Sequence, residues 1–90
     1  MKTNHIGVVD NIRVIKTFPD MLVRFTLITT NELINCIVTK KELAQQLLFL
    51  ENRQTEIACF GHVSKTDKLV IDKMTIRNPT SFLMAFAMQA

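Results

Sequence analysis

The sequence predicts a small all-β barrel that carries one helix, and three observations lead to this fold class. Several segments, most clearly residues 21–29 and 34–39, alternate apolar and polar residues with the period of two that turns one face of a strand towards a core. One segment, residues 39–50, changes to the helical period. Ninety residues allow one domain with a single modest core. We expect a barrel over residues 1–79 and an apolar C-terminal segment over residues 80–90.

The first predicted element covers residues 5–16 and is rich in β-branched side chains. Asp10 and Asn11 interrupt it, so the pattern fits either one long bent strand or a hairpin that turns at those two residues. We favour the bent strand, which serves both halves of a barrel and needs a bulge or a glycine near its bend. Gly7 is available for that bend.

Two further strands follow a turn at residues 17–20, where Pro19 fixes the backbone. The second strand covers residues 21–29; its inward set is Val23, Phe25 and Leu27, and its outward set is Arg24 and Thr26. A turn at residues 30–32 leads into the third strand, whose inward set is Ile34, Cys36 and Val38. The alternation in both segments therefore predicts strands with one face towards the core and one polar face.

The helix is predicted directly after the third strand. Thr39 to Glu42 fits a capping box, in which a hydroxyl and a carboxylate satisfy amides of the first turn. One apolar stripe follows, formed by Leu43, Leu47 and Leu50 and widened by Ala44 and Leu48.

The last two strands are joined by a polar loop over residues 64–68. Their inward residues are Ile57, Cys59 and Val63, with Gly61 between them, then Leu69 and Ile71 before an irregular step to Met74 and Ile76.

The C-terminal segment is apolar without a charge from Phe82 to Met88. One interpretation is a helix or strand that covers an end of the core. The other is a docking segment for another chain, because monomers rarely expose large apolar patches. The docking residues would be Phe82, Leu83, Met84, Phe86 and Met88.

Five strands with a helix between the third and the fourth resemble the OB-fold, a Greek-key barrel. Ile57-Ala58-Cys59-Phe60-Gly61-His62-Val63 resembles the fourth strand of single-stranded DNA-binding proteins, in which a glycine is followed two residues later by an apolar residue. The segment 69–76 is similar to their fifth strand. The resemblance covers residues 5–77 and implies binding across the second and third strands, between the first and last hairpin loops.

The resemblance implies a surface of cationic and polar side chains, with a ring on which a base stacks. On the second and third strands it would present Arg24, Thr26, Asn35, Ile37 and Thr39, with Phe18 at one end and Lys65 and Lys68 at the other. Phe60 and His62 would join this surface if they point outward. Both faces of their strand are apolar, so their direction stays open.

The implied function is non-catalytic binding of single-stranded nucleic acid, DNA rather than RNA, beside a larger replication, priming or recombination protein. The chain has no Trp or Tyr, the rings on which family members commonly stack bases, so we expect a partner to supply further surface. The alternative is a protein-interaction module that binds a larger protein, or a second copy of itself, through the C-terminal segment and binds no nucleic acid.

Composition limits the other classes of function. Apolar residues make up 48% of the chain, and 11 basic against 8 acidic residues give a net charge of +3, a slight preference for polyanions. No apolar stretch approaches the ~20 residues of a membrane span, and the first residues do not resemble a secretory signal. We therefore expect a soluble, cytoplasmic protein.

A metal site or an active site has little support in the sequence. The candidate zinc ligands are Cys36, Cys59, His62 and His5. Cys59 and His62 are three residues apart in a strand and so point to opposite faces, which disfavours a shared ion. In a reducing compartment we also expect no disulfide. Two isolated glycines form no phosphate loop and the carboxylates are scattered, so we expect no cofactor and no enzymatic activity.

Overall fold

The computed structural model describes residues 2–77, which form a closed barrel of five strands with one short helix between the third and the fourth. The elements are β1 Lys2–Lys16, β2 Leu22–Ile28, β3 Leu33–Val38, α1 Lys41–Leu47, β4 Glu56–Val63 and β5 Leu69–Ile76. The strand order is β1-β2-β3-β5-β4, with β3 and β5 parallel and the other neighbours antiparallel. This architecture is consistent with an OB-fold and confirms the predicted fold class.

Strand β1 is a single bent strand that belongs to both halves of the barrel. Its first half, up to Val8, pairs with β4, and its second half, from Val8 onward, pairs with β2. The bend lies in a bulge between Asp10 and Arg13, where Asn11 has a φ of 54°. Asparagine is one of the few residues with a side chain that adopts this left-handed backbone readily. The bent strand is confirmed, and its bulge uses Asn11 instead of Gly7.

Both glycines lie where two strands approach closely. A Cβ on Gly7 would overlap the carbonyl oxygen of Ile28, and a Cβ on Gly61 would overlap that of Val70. Gly61 also borders the irregular step in β5: Phe60 pairs with Lys73 and Gly61 with Ile71, which leaves Asp72 as the extra residue of a bulge. The irregularity predicted in the fifth strand is therefore located at Asp72.

The barrel interior is filled by apolar side chains from all five strands and from α1. The buried set is Val9, Val23, Phe25, Leu27, Cys36, Val38, Ala44, Leu47, Ile57, Cys59, Leu69 and Ile71. The alternation predicted for β2 and for the start of β5 is confirmed. Val63 is the exception in β4, because it ends the strand beside the loop and is 46% exposed.

Helix α1 packs its apolar side against the barrel. Ala44 and Leu47 are fully buried, and Leu43 and Leu50 pack against the core. Leu48, the C-cap residue, is 47% exposed, so the predicted apolar stripe does not include it. The predicted capping box is wrong. The N-cap residue is Lys40, which makes no side-chain cap hydrogen bond; its Nζ donates instead to the carbonyl oxygen of Asp72 at 3.1 Å.

The predicted docking segment, with Phe82, Leu83, Met84, Phe86 and Met88, lies outside the described residues. Between residues 2 and 77, no helix is long and apolar enough to cross a membrane.

Candidate functional site

The outer surface of β1, β2 and β3 carries two arginines that face each other across neighbouring strands. Arg13 on β1 is the register partner of Arg24 on β2. Beside them, Thr26 pairs with Asp10 on one side and with Asn35 on the other. These side chains point outward because the alternate positions of β2 and β3 are buried. We call this surface the arginine face, defined by Arg13, Arg24, Thr26, Asn35 and Ile37.

The two arginines have no carboxylate partner among the ion pairs that the structure describes. Those pairs are Arg53–Asp10 at 3.2 Å, His62–Asp72 at 3.1 Å and Arg77–Glu56 at 3.6 Å. Like charges directly opposite on antiparallel strands destabilise a sheet. A bound anion between them would remove that repulsion. Each guanidinium presents a planar set of donors that matches the oxygens of a phosphate group.

A ring lies in the loop that connects the two strands carrying the arginines. Phe18, between β1 and β2, is 86% exposed, so its face is open to a planar ligand. Ile15, at the end of β1, is also exposed. An exposed ring in the loop between two strands that carry cations offers a single strand a stacking surface in addition to phosphate contacts.

The far end of the arginine face meets the β4–β5 loop. This loop is organised by Ser64, whose Oγ accepts from the amides of Thr66 and Lys68. A pocket between the loop and the start of β3 contains Asn35 from the strand and Asp67 from the loop. The predicted lysines, Lys65 and Lys68, belong to the loop, but the loop side chain beside Asn35 is acidic. Thr39 is exposed just beyond the end of β3.

Phe60 and His62 point outward, which answers the question of direction left open by the sequence, but they do not lie on the arginine face. Their strand, β4, has β1 and β5 as neighbours and touches neither β2 nor β3 in the barrel order. The inward positions of β4 are filled by Ile57, Cys59 and Gly61. The two side chains therefore belong to a separate surface on the other side of the barrel.

Sequence reasoning missed Arg13, and the bulge explains why. An unbroken alternation from the buried Val9 would turn residue 13 inward. The bulge after Asp10 adds a residue and reverses this phase, so that Arg13 faces outward opposite Arg24. A second register shift, between Val14 and Lys16, makes a count backward from the turn at Pro19 equally misleading. Lys16, the register partner of Leu22, adds a cation beside the β1–β2 loop.

The two cysteines are free and buried inside the barrel. Burial raises the pKa of the Cys59 thiol to about 11. Burial also raises the pKa of the Cys36 thiol, and Cys59 nearby raises it further. Thiolate, the form that binds metal or attacks electrophiles, is therefore scarce at neutral pH. In the part of the chain that the structure covers, no group of three or more His, Cys, Asp or Glu side chains is placed to hold a metal ion.

No model of a known protein family matches this chain, and no curated protein matches it at significant similarity. The fold and the surface chemistry of the barrel are therefore the basis on which a function is argued.

Proposed function

We propose that the protein binds single-stranded nucleic acid, DNA in preference to RNA, across the arginine face. It would act in the cytoplasm without catalysis, as an accessory to a larger replication, priming or recombination protein. The observation that carries the proposal is the register pair of Arg13 and Arg24, two cations on neighbouring strands that form no ion pair in the described part of the chain.

The chemistry of the face fits a single strand. Phosphates that bind Arg13 and Arg24 release counterions, which gives sequence-independent affinity that falls as salt rises. Phe18 supplies the ring, and one stacked base contributes about 1–3 kcal/mol. Thr26 and Asn35 add hydrogen-bonding groups between the cations and the β4–β5 loop. A duplex would hide the base faces from the ring, so the arrangement favours unpaired strands.

The number of cations on the face predicts modest affinity. Two arginines and Lys16 allow about three phosphate contacts, fewer than the 6–10 of a protein that loses affinity steeply with salt. The larger partner would therefore contribute further surface. The C-terminal segment is where we place that contact, as the sequence predicts.

The proposal is tested by fluorescence anisotropy with a labelled oligothymidylate at several salt concentrations. The wild-type protein should bind at low salt. The double variant Arg13→Gln/Arg24→Gln should bind at least about tenfold more weakly, and the slope of log K against log salt should fall by about 1.4, because two phosphate contacts are lost.

The control carries the same change in net charge away from the arginine face. Lys41→Gln/Arg77→Gln alters an exposed lysine at the start of α1 and an arginine in a surface pair. It should bind nearly as well as the wild type, since neither residue belongs to the arginine face, and it should stay folded because such surface pairs contribute little to stability. Equal losses of affinity in both double variants would mean that binding depends on net charge alone and not on the arginine face. Absence of wild-type binding at low salt would favour the protein-interaction alternative.

A further inference from the structure

A second cationic surface with a ring lies on the opposite side of the barrel, on the first half of β1, on β4 and on β5. Phe60 sits between two register partners, Asn4 on β1 and Lys73 on β5. In the next row His62 is the partner of Lys2, whose Nζ lies 5.9 Å from the centre of the Phe60 ring. We call this surface the Phe60 face, defined by Lys2, Asn4, Phe60, His62 and Lys73.

A carboxylate on this side of the described chain, that of Asp72, is already hydrogen-bonded within the protein. His62 Nδ1 donates to Asp72 Oδ2 at 3.1 Å, and this hydrogen bond lowers the pKa of the Asp72 carboxyl. Lys40 lies on the same side, with its Nζ bonded to the backbone oxygen of Asp72. Lys2, Lys40 and Lys73 therefore outnumber the one carboxylate, and an anionic ligand would meet a positive surface.

The two faces are connected by one continuous row of register partners across the outside of the barrel. The row runs through Arg24, Ile37, Val70, His62 and Lys2. It crosses the β3–β5 junction, and Lys40 lies beside that crossing through its bond to β5. At about 4.8 Å per strand spacing, the three spacings from β2 to β4 amount to about 14 Å along the sheet. A strand of a few more nucleotides covers that distance.

We propose that a single strand longer than the arginine face continues over the β3–β5 junction and reaches the Phe60 face. There a base stacks on the Phe60 ring in place of the Lys2 ammonium, and Lys2 and Lys73 bind the adjoining phosphates. Both groups keep a favourable partner: the ring exchanges a cation for a base, and the ammonium exchanges a ring for a phosphate. This inference rests on the proposed function of the arginine face and assigns it a longer binding site.

The test compares a short and a long labelled oligothymidylate, of about 5 and about 16 nucleotides, near the two limits of OB-fold site sizes. Phe60→Ala should leave the affinity for the short oligonucleotide unchanged and weaken binding of the long one about tenfold. The matched control is Phe49→Ala, which removes an equally large ring that is 80% exposed beyond the end of α1. It should leave both affinities unchanged.

Three results of this test would overturn the extended binding path. If Phe60→Ala binds the long oligonucleotide as tightly as the wild type does, the extended path is wrong, while the arginine face keeps its function through binding of the short one. If the wild type binds neither oligonucleotide, the proposed function fails and the extended path fails with it. If Phe60→Ala weakens both oligonucleotides equally, the ring belongs to a primary site or to the fold, which also overturns the path. Unfolding temperatures of all three proteins identify the last case.

Discussion

The arginine face and the Phe60 face hold their charges in different ways. On the arginine face, Arg13 and Arg24 are register partners, and neither belongs to an ion pair within residues 2–77. On the Phe60 face, His62 bonds Asp72 and the ammonium of Lys2 lies over a ring. The first arrangement is unfavourable until an anion arrives, whereas the second is satisfied within the protein. Under the proposed function, a single strand would bind the arginine face first and would reach the Phe60 face only by displacing an existing contact.

The largest expected effect concerns the barrel that keeps the two faces apart. Leu47 of α1 is fully buried against the core, so Leu47→Ala should lower the free energy of unfolding by about 2–5 kcal/mol. The neighbouring Leu48 is 47% exposed, and Leu48→Ala should cost far less. Urea denaturation followed by circular dichroism measures both. Similar losses of unfolding free energy in the two variants would mean that Leu47 does not anchor the helix to the barrel core.

The comparison also shows which parts of the site the sequence could predict. The inward residues of β2 and β5 followed from period-two alternation because each segment is regular from its turn to the buried centre. Arg24 and Thr26 were found as the complement of that pattern. Arg13 was not found, since a bulge changes the phase of β1 and no local residue type signals a bulge unambiguously.

The Phe60 face was beyond sequence reasoning for a different reason. Strand β4 is buried at Ile57, Cys59 and Gly61 and carries apolar residues on its other side as well. Only the closed strand order shows that the second side is an outer surface and that β1 supplies Lys2 next to it. The capping box failed because a cap needs a geometry as well as a residue type. Thr39 has the hydroxyl, but the chain enters the helix one residue later.

A smaller effect is expected from the hydrogen bond between His62 and Asp72 beside the Phe60 ring, and it is measured as a dependence of stability on pH. The hydrogen bond from His62 lowers the pKa of the Asp72 carboxyl below its ordinary value of 3.8 in the folded protein. This hydrogen bond therefore adds to the free energy of unfolding at pH values above 3.8. Its contribution is lost as the pH falls through the lowered pKa of Asp72. Asp72→Asn should therefore be less stable than the wild type at neutral pH and should lose less stability on acidification.

The partner variant sharpens this prediction. His62→Gln removes the residue that pairs with Asp72, so it should flatten the acid dependence in the same direction. The double variant should add little to either single change, since both act on one contact. Urea denaturation between neutral and acidic pH measures all four proteins. An acid dependence identical to that of the wild type in Asp72→Asn would show that the pair contributes nothing.

Under the proposal, the arginine pair is kept for a ligand at a cost to the fold, and Arg24→Gln separates these two contributions. Arg24→Gln should raise the free energy of unfolding by about 0.2–1 kcal/mol, because a like-charge pair across β1 and β2 is removed. The same variant should bind single-stranded oligothymidylate more weakly, with a salt slope reduced by about 0.7. Stability and affinity measured on this one protein should thus move in opposite directions. An Arg24→Gln protein that binds as tightly as the wild type, or that loses stability together with affinity, would show that the arginine pair is not kept for a ligand.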